Sequence, residues 1–208
     1  MSLTANEIAA TIIRRAEGAR RFLVAIAGPP GAGKSTLAER LAEILNARGE
    51  RAVVLPMDGF HMDNGILEQR GLLPRKGAPE TFDVRGFADI VRAVRLGDED
   101  VLVPVFDRDR DTAIASARSI APQDRIVLIE GNYLLLDLPP WSGLAPLFDF
   151  SIFVAPSVEE LQRRLTARWQ GYRLDTAGIA CKLNGNDLPN ARLVMEKSRP
   201  AELSIDGF

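Results

Sequence analysis

Gly28-Pro-Pro-Gly-Ala-Gly33-Lys34-Ser35 fits the pattern GxxxxGK[ST], and its flanks leave few folds open to the chain. Phe22 to Ala27 is an unbroken apolar run, the pattern of a strand buried on both faces of a parallel sheet. After the loop, Leu37, Leu41, Ile44 and Leu45 recur at helical spacing until Gly49 closes the helix. Strand, glycine-rich loop and helix in that order turn successive backbone N–H groups inward on phosphates, with the positive end of the helix behind them. In this reading Gly28, Pro29, Pro30, Gly31, Ala32, Gly33, Lys34, Ser35 and Thr36 bind a nucleotide. Lys34 bridges its β- and γ-phosphates, and Ser35 offers a hydroxyl to Mg²⁺, which prefers oxygen ligands.

The rest of the chain extends this beginning into an α/β pattern. Thr4-Ala-Asn-Glu7 has capping-box spacing ahead of Ile8, Ile12 and Ile13, so a short amphipathic helix opens the chain. Ala52–Leu55, Ile126–Ile129 and Ser151–Ala155 read as further buried strands, and Glu202 to Phe208 supplies a last one. Phe87–Leu96 reads as a helix. Val101–Phe106 reads as a strand whose charged continuation, DRDRD, and the later RSIAP suggest a hairpin. Ser157 caps a helix in which Leu161, Leu165 and Trp169 share one stripe and Arg164 and Arg168 a neighbouring face. Strands alternating with helices imply a mostly parallel, doubly wound sheet with ligands at the carboxyl ends of its strands.

A chain of 208 residues suits one such domain, with little room beyond an inserted hairpin or lid. Its 26 Lys plus Arg against 28 Asp plus Glu give no global field for nucleic acid, so an anion must be held by local positive groups. Cys181 is alone, which excludes an internal disulfide and suits a reducing, cytoplasmic setting. No apolar run approaches the roughly 18 residues of a membrane span. Arg20-Arg21 is followed by too short an apolar run for an export signal. Asp175-Thr-Ala-Gly178 has the spacing of a GTPase switch but follows the polar WQGYRL, and no N-K-x-D guanine-reading motif occurs.

VVLPMDGFHMDN, Val53 to Asn64, sets Asp58 and the chain's one histidine, His61, just past the second strand, where polar groups face a ligand. GPPGAGKST, then MDGF after that strand, RKGAPETFD, VPVFDRDR and EGNYLLLD together resemble the P-loop kinase family of phosphoribulokinase, uridine kinase and pantothenate kinase over most of the chain. With NDLPNA, the set is most similar to bacterial proteins named fructose transport system kinases. PETFD stands where uridine kinase has NFDHP.

The resemblance implies a three-layer P-loop fold with a mostly parallel five-stranded sheet, an inserted β-hairpin at about 99–122 and an arginine-bearing lid at about 163–185. It implies that Asp58 aims an acceptor hydroxyl and takes its proton, and that Glu130 helps hold Mg²⁺. Arg164, Arg168 and Arg173 match the lid, with Arg168 and Arg173 acting on the transferring phosphoryl group and Arg164 on the nucleotide; Gly171 offers a hinge-like break. Asn186 and Asp187 either line the adenine pocket or form a turn. His61, Arg75, Lys76, Asp83, Asp107 and Arg108, with Asp58, lie on segments that surround the acceptor in relatives. The expected protein is thus a cytoplasmic kinase using ATP and Mg²⁺ on a small-molecule acceptor, a sugar or sugar-like alcohol, with no nucleic-acid or membrane partner and a homodimer left open. Two alternatives stand beside it: a nucleotide-sensing regulator of a transport system, and a nucleoside- or pantothenate-type kinase.

Overall fold

The computed structural model describes residues 3–207. Helix α1 (Ala5–Arg15) begins at a capping box in which Thr4 accepts from the Glu7 N–H and the Glu7 carboxylate accepts from the Thr4 N–H in return. Strand β1 (Phe22–Ala27) and helix α2 (Lys34–Ala47) flank the glycine-rich loop. Then follow β2 (Ala52–Pro56), a single 3-10 turn (Met57–Phe60), α3 (Asn64–Gln69), α4 (Val84–Leu96), and the antiparallel pair β3 (Val101–Asp107) and β4 (Thr112–Ile120). The chain continues through β5 (Ile126–Gly131), β6 (Phe150–Val154), α5 (Val158–Gly171), α6 (Thr176–Lys182), α7 (Leu188–Lys197) and β7 (Leu203–Ile205).

Five strands form one parallel sheet in the order β2-β5-β1-β6-β7. Every residue of β1 is buried because successive side chains enter opposite layers. Leu23, Ala25 and Ala27 pack with Phe87, Val91 and Val94 of α4. Phe22, Val24 and Ile26 pack with Ile8 and Ile12 of α1 and Leu37, Leu41 and Leu45 of α2. Strand β5 divides its residues in the same way, Val127 and Ile129 to one layer, Ile126 and Leu128 to the other. Truncating a side chain such as Leu23 in a layer of this kind costs about 2–5 kcal/mol.

A smaller apolar cluster lies outside both layers. Leu165, Ile179 and Leu183 are buried against one another, with Trp169, Leu174 and Leu188 around them. Helix α5 thus begins in a sheet layer through Leu161 and ends in this cluster through Leu165.

Two local departures from the sequence reading have clear causes, and the GTPase-like tetrad it sets aside has a plain structural role. Helix α4 begins before Phe87 because the Asp83 carboxylate accepts from the Gly86 N–H at 3.0 Å and caps it. Asn186-Asp-Leu-Pro-Asn is helical rather than a turn: a wide π turn (Leu183–Asp187) runs straight into α7, whose first turn accommodates Pro189 where no helical N–H partner is needed. Asp175, in the GTPase-like tetrad, caps α6 by accepting from the Gly178 N–H at 2.8 Å.

The hairpin presses on the turn that carries Asp58. A Cβ added at Gly59 would run into the backbone carbonyl of Pro104 in β3, so only glycine lets the two backbones approach. Gly59→Ala is expected to lower stability by about 1–3 kcal/mol in thermal unfolding. Gly143→Ala, where nothing lies within 4 Å of the added carbon, should leave the midpoint nearly unchanged.

Candidate active site

Parallel pairing brings three strand ends to one edge. Glu130, near the end of β5, lies opposite Ile26 of β1 on one side and Pro56 of β2 on the other. The glycine-rich loop leaves β1 there, and Asp58 follows β2 there. In the loop, Gly31 and Gly33 hold φ of 79° and 95°, a region closed to most side chains, and Gly33 sits at the start of α2. Ser35 and Thr36 occupy the first turn of that helix, whose N–H groups have no helical acceptors.

Lys34 is buried, and its ammonium donates to the Pro29 carbonyl at 2.9 Å and to Asn132 Oδ1 at 2.7 Å. Burial lowers its pKa to about 8, against the opposing pull of Glu130 and Asp58. Glu130 is also buried. Its pKa is pushed up to about 7, chiefly by desolvation and then by the charge of Asp58, while Lys34 and a hydrogen bond from Ser35 act in the other direction. Desolvation moves each group toward its neutral form, and an anion beside Lys34 or a cation beside Glu130 would favour the charged form again.

On the second side of the cavity, Asp58 accepts at Oδ2 from Arg108 Nη2 at 2.7 Å. His61 Nδ1 lies 2.7 Å from the Asp58 carbonyl. A carbonyl can only accept, so Nδ1 carries the hydrogen and Nε2 is left as an acceptor. The ring lies between Phe82 and Phe106, with centroids at 4.1 and 4.6 Å, and burial lowers its pKa, so it is neutral. Lys76 donates to Asn64 Oδ1 and to the Asp111 carbonyl, each at 2.7 Å, and pairs with the Asp111 carboxylate at 2.9 Å.

A third wall comes from α5 and the π turn. Arg168, Trp169 and Tyr172 line it, with Asn186 and Asp187. Asp187 accepts from Trp169 Nε1 at 2.6 Å, and burial raises its pKa. Asn186 donates to the Lys76 carbonyl at 2.8 Å and so ties this wall to the side that carries Lys76 and Asp58. Arg168 is exposed by its overall surface; partial desolvation and the nearby Arg108 lower its pKa.

The walls enclose a cavity of about 650 Å³. Of the residues expected from sequence, Pro30, Gly31, Gly33, Lys34, Ser35, Thr36, Asp58, His61, Lys76, Arg108, Glu130, Arg168, Asn186 and Asp187 line it. The others are placed around it. Gly28, Pro29 and Ala32 shape the loop from behind, and Arg164 joins Glu160 at 2.6 Å to the Ala32 carbonyl at 3.2 Å, bracing α5 against the loop. Arg75 bridges the Gly185 carbonyl at 2.9 Å and Asn190 Oδ1 at 3.3 Å. Asp83 is the α4 cap, and Asp107 shapes the hairpin turn by accepting from the N–H groups of Asp109 and Arg110, each at 3.0 Å. Arg173 is exposed, at a left-handed φ of 59° just past the end of α5.

Sequence reasoning missed Asn132, Asn64, Trp169 and Tyr172, all of which line the cavity. Asn132 had a signal in EGN, since the residue after a strand-ending Glu-Gly is carried back toward the phosphate loop. Trp169 shares the apolar stripe of Leu161 and Leu165, and it does pack on the small cluster while its indole N–H turns to Asp187.

Among known proteins, residues 23–176 match the model of the Phosphoribulokinase / Uridine kinase family. A crystal structure named "putative fructose transport system kinase from Silicibacter sp. TM1040" superposes with a TM-score of 0.93 at 45% identity, covering 97% of this chain and 98% of that one. The Escherichia coli protein YggC is 36% identical over 189 residues, 90% of this chain and 78% of its own length. A pantothenate kinase of Streptomyces coelicolor is 31% identical over 160 residues, and the match spans 49% of that enzyme's length and 73% of this chain. With a nucleotide-binding loop and a family match over most of its length, the chain is a kinase of the Phosphoribulokinase / Uridine kinase family.

Proposed function

We propose that the protein transfers the γ-phosphoryl group of ATP to a hydroxyl of a small metabolite, a sugar or sugar-like alcohol, in the cytoplasm. One observation carries the reading: the phosphate loop with Lys34 and the strand-end carboxylate Asp58 face the same cavity of about 650 Å³. The name of the Silicibacter neighbour, which shares 45% of its sequence with this chain, favours a sugar. The neutral His61 with its accepting Nε2, together with Asn64 and Lys76, offers acceptors and donors suited to a hydroxyl-rich molecule. No helix among the described residues is long and apolar enough to cross a membrane.

In this reading the loop N–H groups and Lys34 hold the phosphates of ATP. The oxygen donors Ser35 and Glu130 fit Mg²⁺, which would neutralise charge on the phosphates when bound. Asp58 orients the acceptor hydroxyl and takes its proton. Because the transition state is loose, a carboxylate that aims the hydroxyl suffices for this role. Arg168 faces the same space and would stabilise negative charge as it shifts between oxygens.

Acceptor-stimulated ADP formation tests this directly, using sugars, sugar alcohols, nucleosides and pantothenate. A sugar or sugar alcohol should stimulate it. Tight ATP binding with no stimulation by any of them would instead support a regulatory nucleotide sensor. With the stimulating acceptor, Asp58→Asn should lower kcat by about 10²–10⁴-fold while ATP affinity stays near that of wild type.

Glu130 gives a pH prediction. Between about pH 4.5 and 7 the folded protein keeps a proton on this group that the unfolded chain has released. Stability attributable to Glu130 therefore falls as pH rises through that window. Comparing thermal midpoints of wild type and Glu130→Gln, the wild type should lose ground steadily from pH 4.5 to 7, and Glu130→Gln should need more Mg²⁺ for half-maximal activity.

A further inference from the structure

Four of the cavity groups whose proton equilibria are shifted feel the same two neighbours. Lys34, Glu130, His61 and Arg168 each respond to the charges of both Asp58 and Arg108. Those two side chains are joined by a single ion pair of 2.7 Å between Arg108 Nη2 and Asp58 Oδ2. Arg108 comes from the β3–β4 turn, a different element from the one carrying Asp58.

The turn is built to hold that guanidinium in place. Asp107 accepts from two N–H groups of the turn, and Asp111 at its far end is held by Lys76, whose own side chain is only 13% exposed. Asn64 adds a contact to Asp111 at 3.3 Å. The Arg108–Asp58 pair itself is more open, with Arg108 51% and Asp58 25% exposed. A firmly anchored turn thus delivers a weakly held cation to one oxygen of the base.

We propose that Arg108 is a positioning residue that discriminates the acceptor from water by occupying Asp58 until an acceptor displaces it. The inference rests on the kinase reading given above. In hydrolysis, a water oxygen would bond to the γ-phosphorus and give its proton to Asp58 as the bond from phosphorus to the ADP oxygen breaks, its electron pair leaving with ADP. In the productive reaction the acceptor's hydroxyl oxygen takes the place of water. A water molecule has no further contacts with which to dislodge a guanidinium from Oδ2. An acceptor held also by groups such as His61 and Asn64 has them, so its binding energy releases the base only when it is present.

The experiment needs no knowledge of the acceptor: ADP formation from Mg-ATP alone, with Mg-ATP binding and thermal midpoint measured alongside. Arg108→Gln should raise acceptor-free hydrolysis about three- to five-fold, the scale set by a half-exposed ion pair. Arg108→Lys, which keeps a cation beside Oδ2, should return it to within about twofold of wild type. In an Asp58→Asn background, Arg108→Gln should change nothing, because the group it frees is gone. A rise that persists in that background would mean a loosened hairpin and would overturn the proposal. A fall in hydrolysis would assign Arg108 to the phosphoryl group and overturn it too, as would an unchanged rate with intact Mg-ATP binding. Failure of the wild type to bind Mg-ATP would instead bring down the kinase reading, and this inference with it.

Discussion

The site depends on β5 pairing in parallel with β1 on one side and β2 on the other. With three parallel strands in register, the chain must leave the sheet at one edge three times, and each exit deposits a group that the apolar layers cannot hold. The phosphate loop leaves β1, Asp58 leaves β2, and Glu130 sits where β5 ends. A slip of one residue in any of these pairings would turn a strand inside out and send its terminal group into a core layer. Both faces of β1 and β5 are buried, so a slip would have to repack both layers at once.

The electrostatics follow from that depth. Lys34 and Glu130 are drawn below the level of solvent by the same strand ends that bring them together, and desolvation moves each toward its neutral form. Groups shifted in this way would be drawn back toward full charge by an anion or a cation beside them. Asp58 lies farther toward the mouth, where Arg108 reaches it from the hairpin.

The parts legible in the sequence were those with a local physical signature. The phosphate loop was readable because its glycines, lysine and flanking apolar runs are contiguous. The fully buried strands were readable because nothing polar interrupts them. Asp58 and Glu130 were readable as acids ending apolar runs. The arginines were harder: Arg164, Arg168 and Arg173 lie close in sequence, but one turn of α5 separates a brace on the loop from a cavity wall, and the left-handed residue after the helix carries Arg173 away. Asp83 looked like a substrate ligand because PETFD resembled a family motif, while its carboxylate answers to a helix end three residues on. Asn186 and Asp187 fit either an adenine pocket or a turn in the sequence; they line the cavity from a wide π turn, which has no reliable signature in residue type.

The small cluster of Leu165, Ile179 and Leu183 decides what supports the third wall of the cavity. These residues pack with one another outside both layers of the sheet, and Leu165 also lies against Gly31 of the glycine-rich loop. Helix α5 spans the seam between Leu161, which belongs to the sheet, and Leu165, which belongs to the cluster. The wall bearing Arg168 therefore rests on a small cluster of its own and is tied back to the rest of the cavity by Arg164, which donates to the Ala32 carbonyl, and by Asn186, which donates to the Lys76 carbonyl.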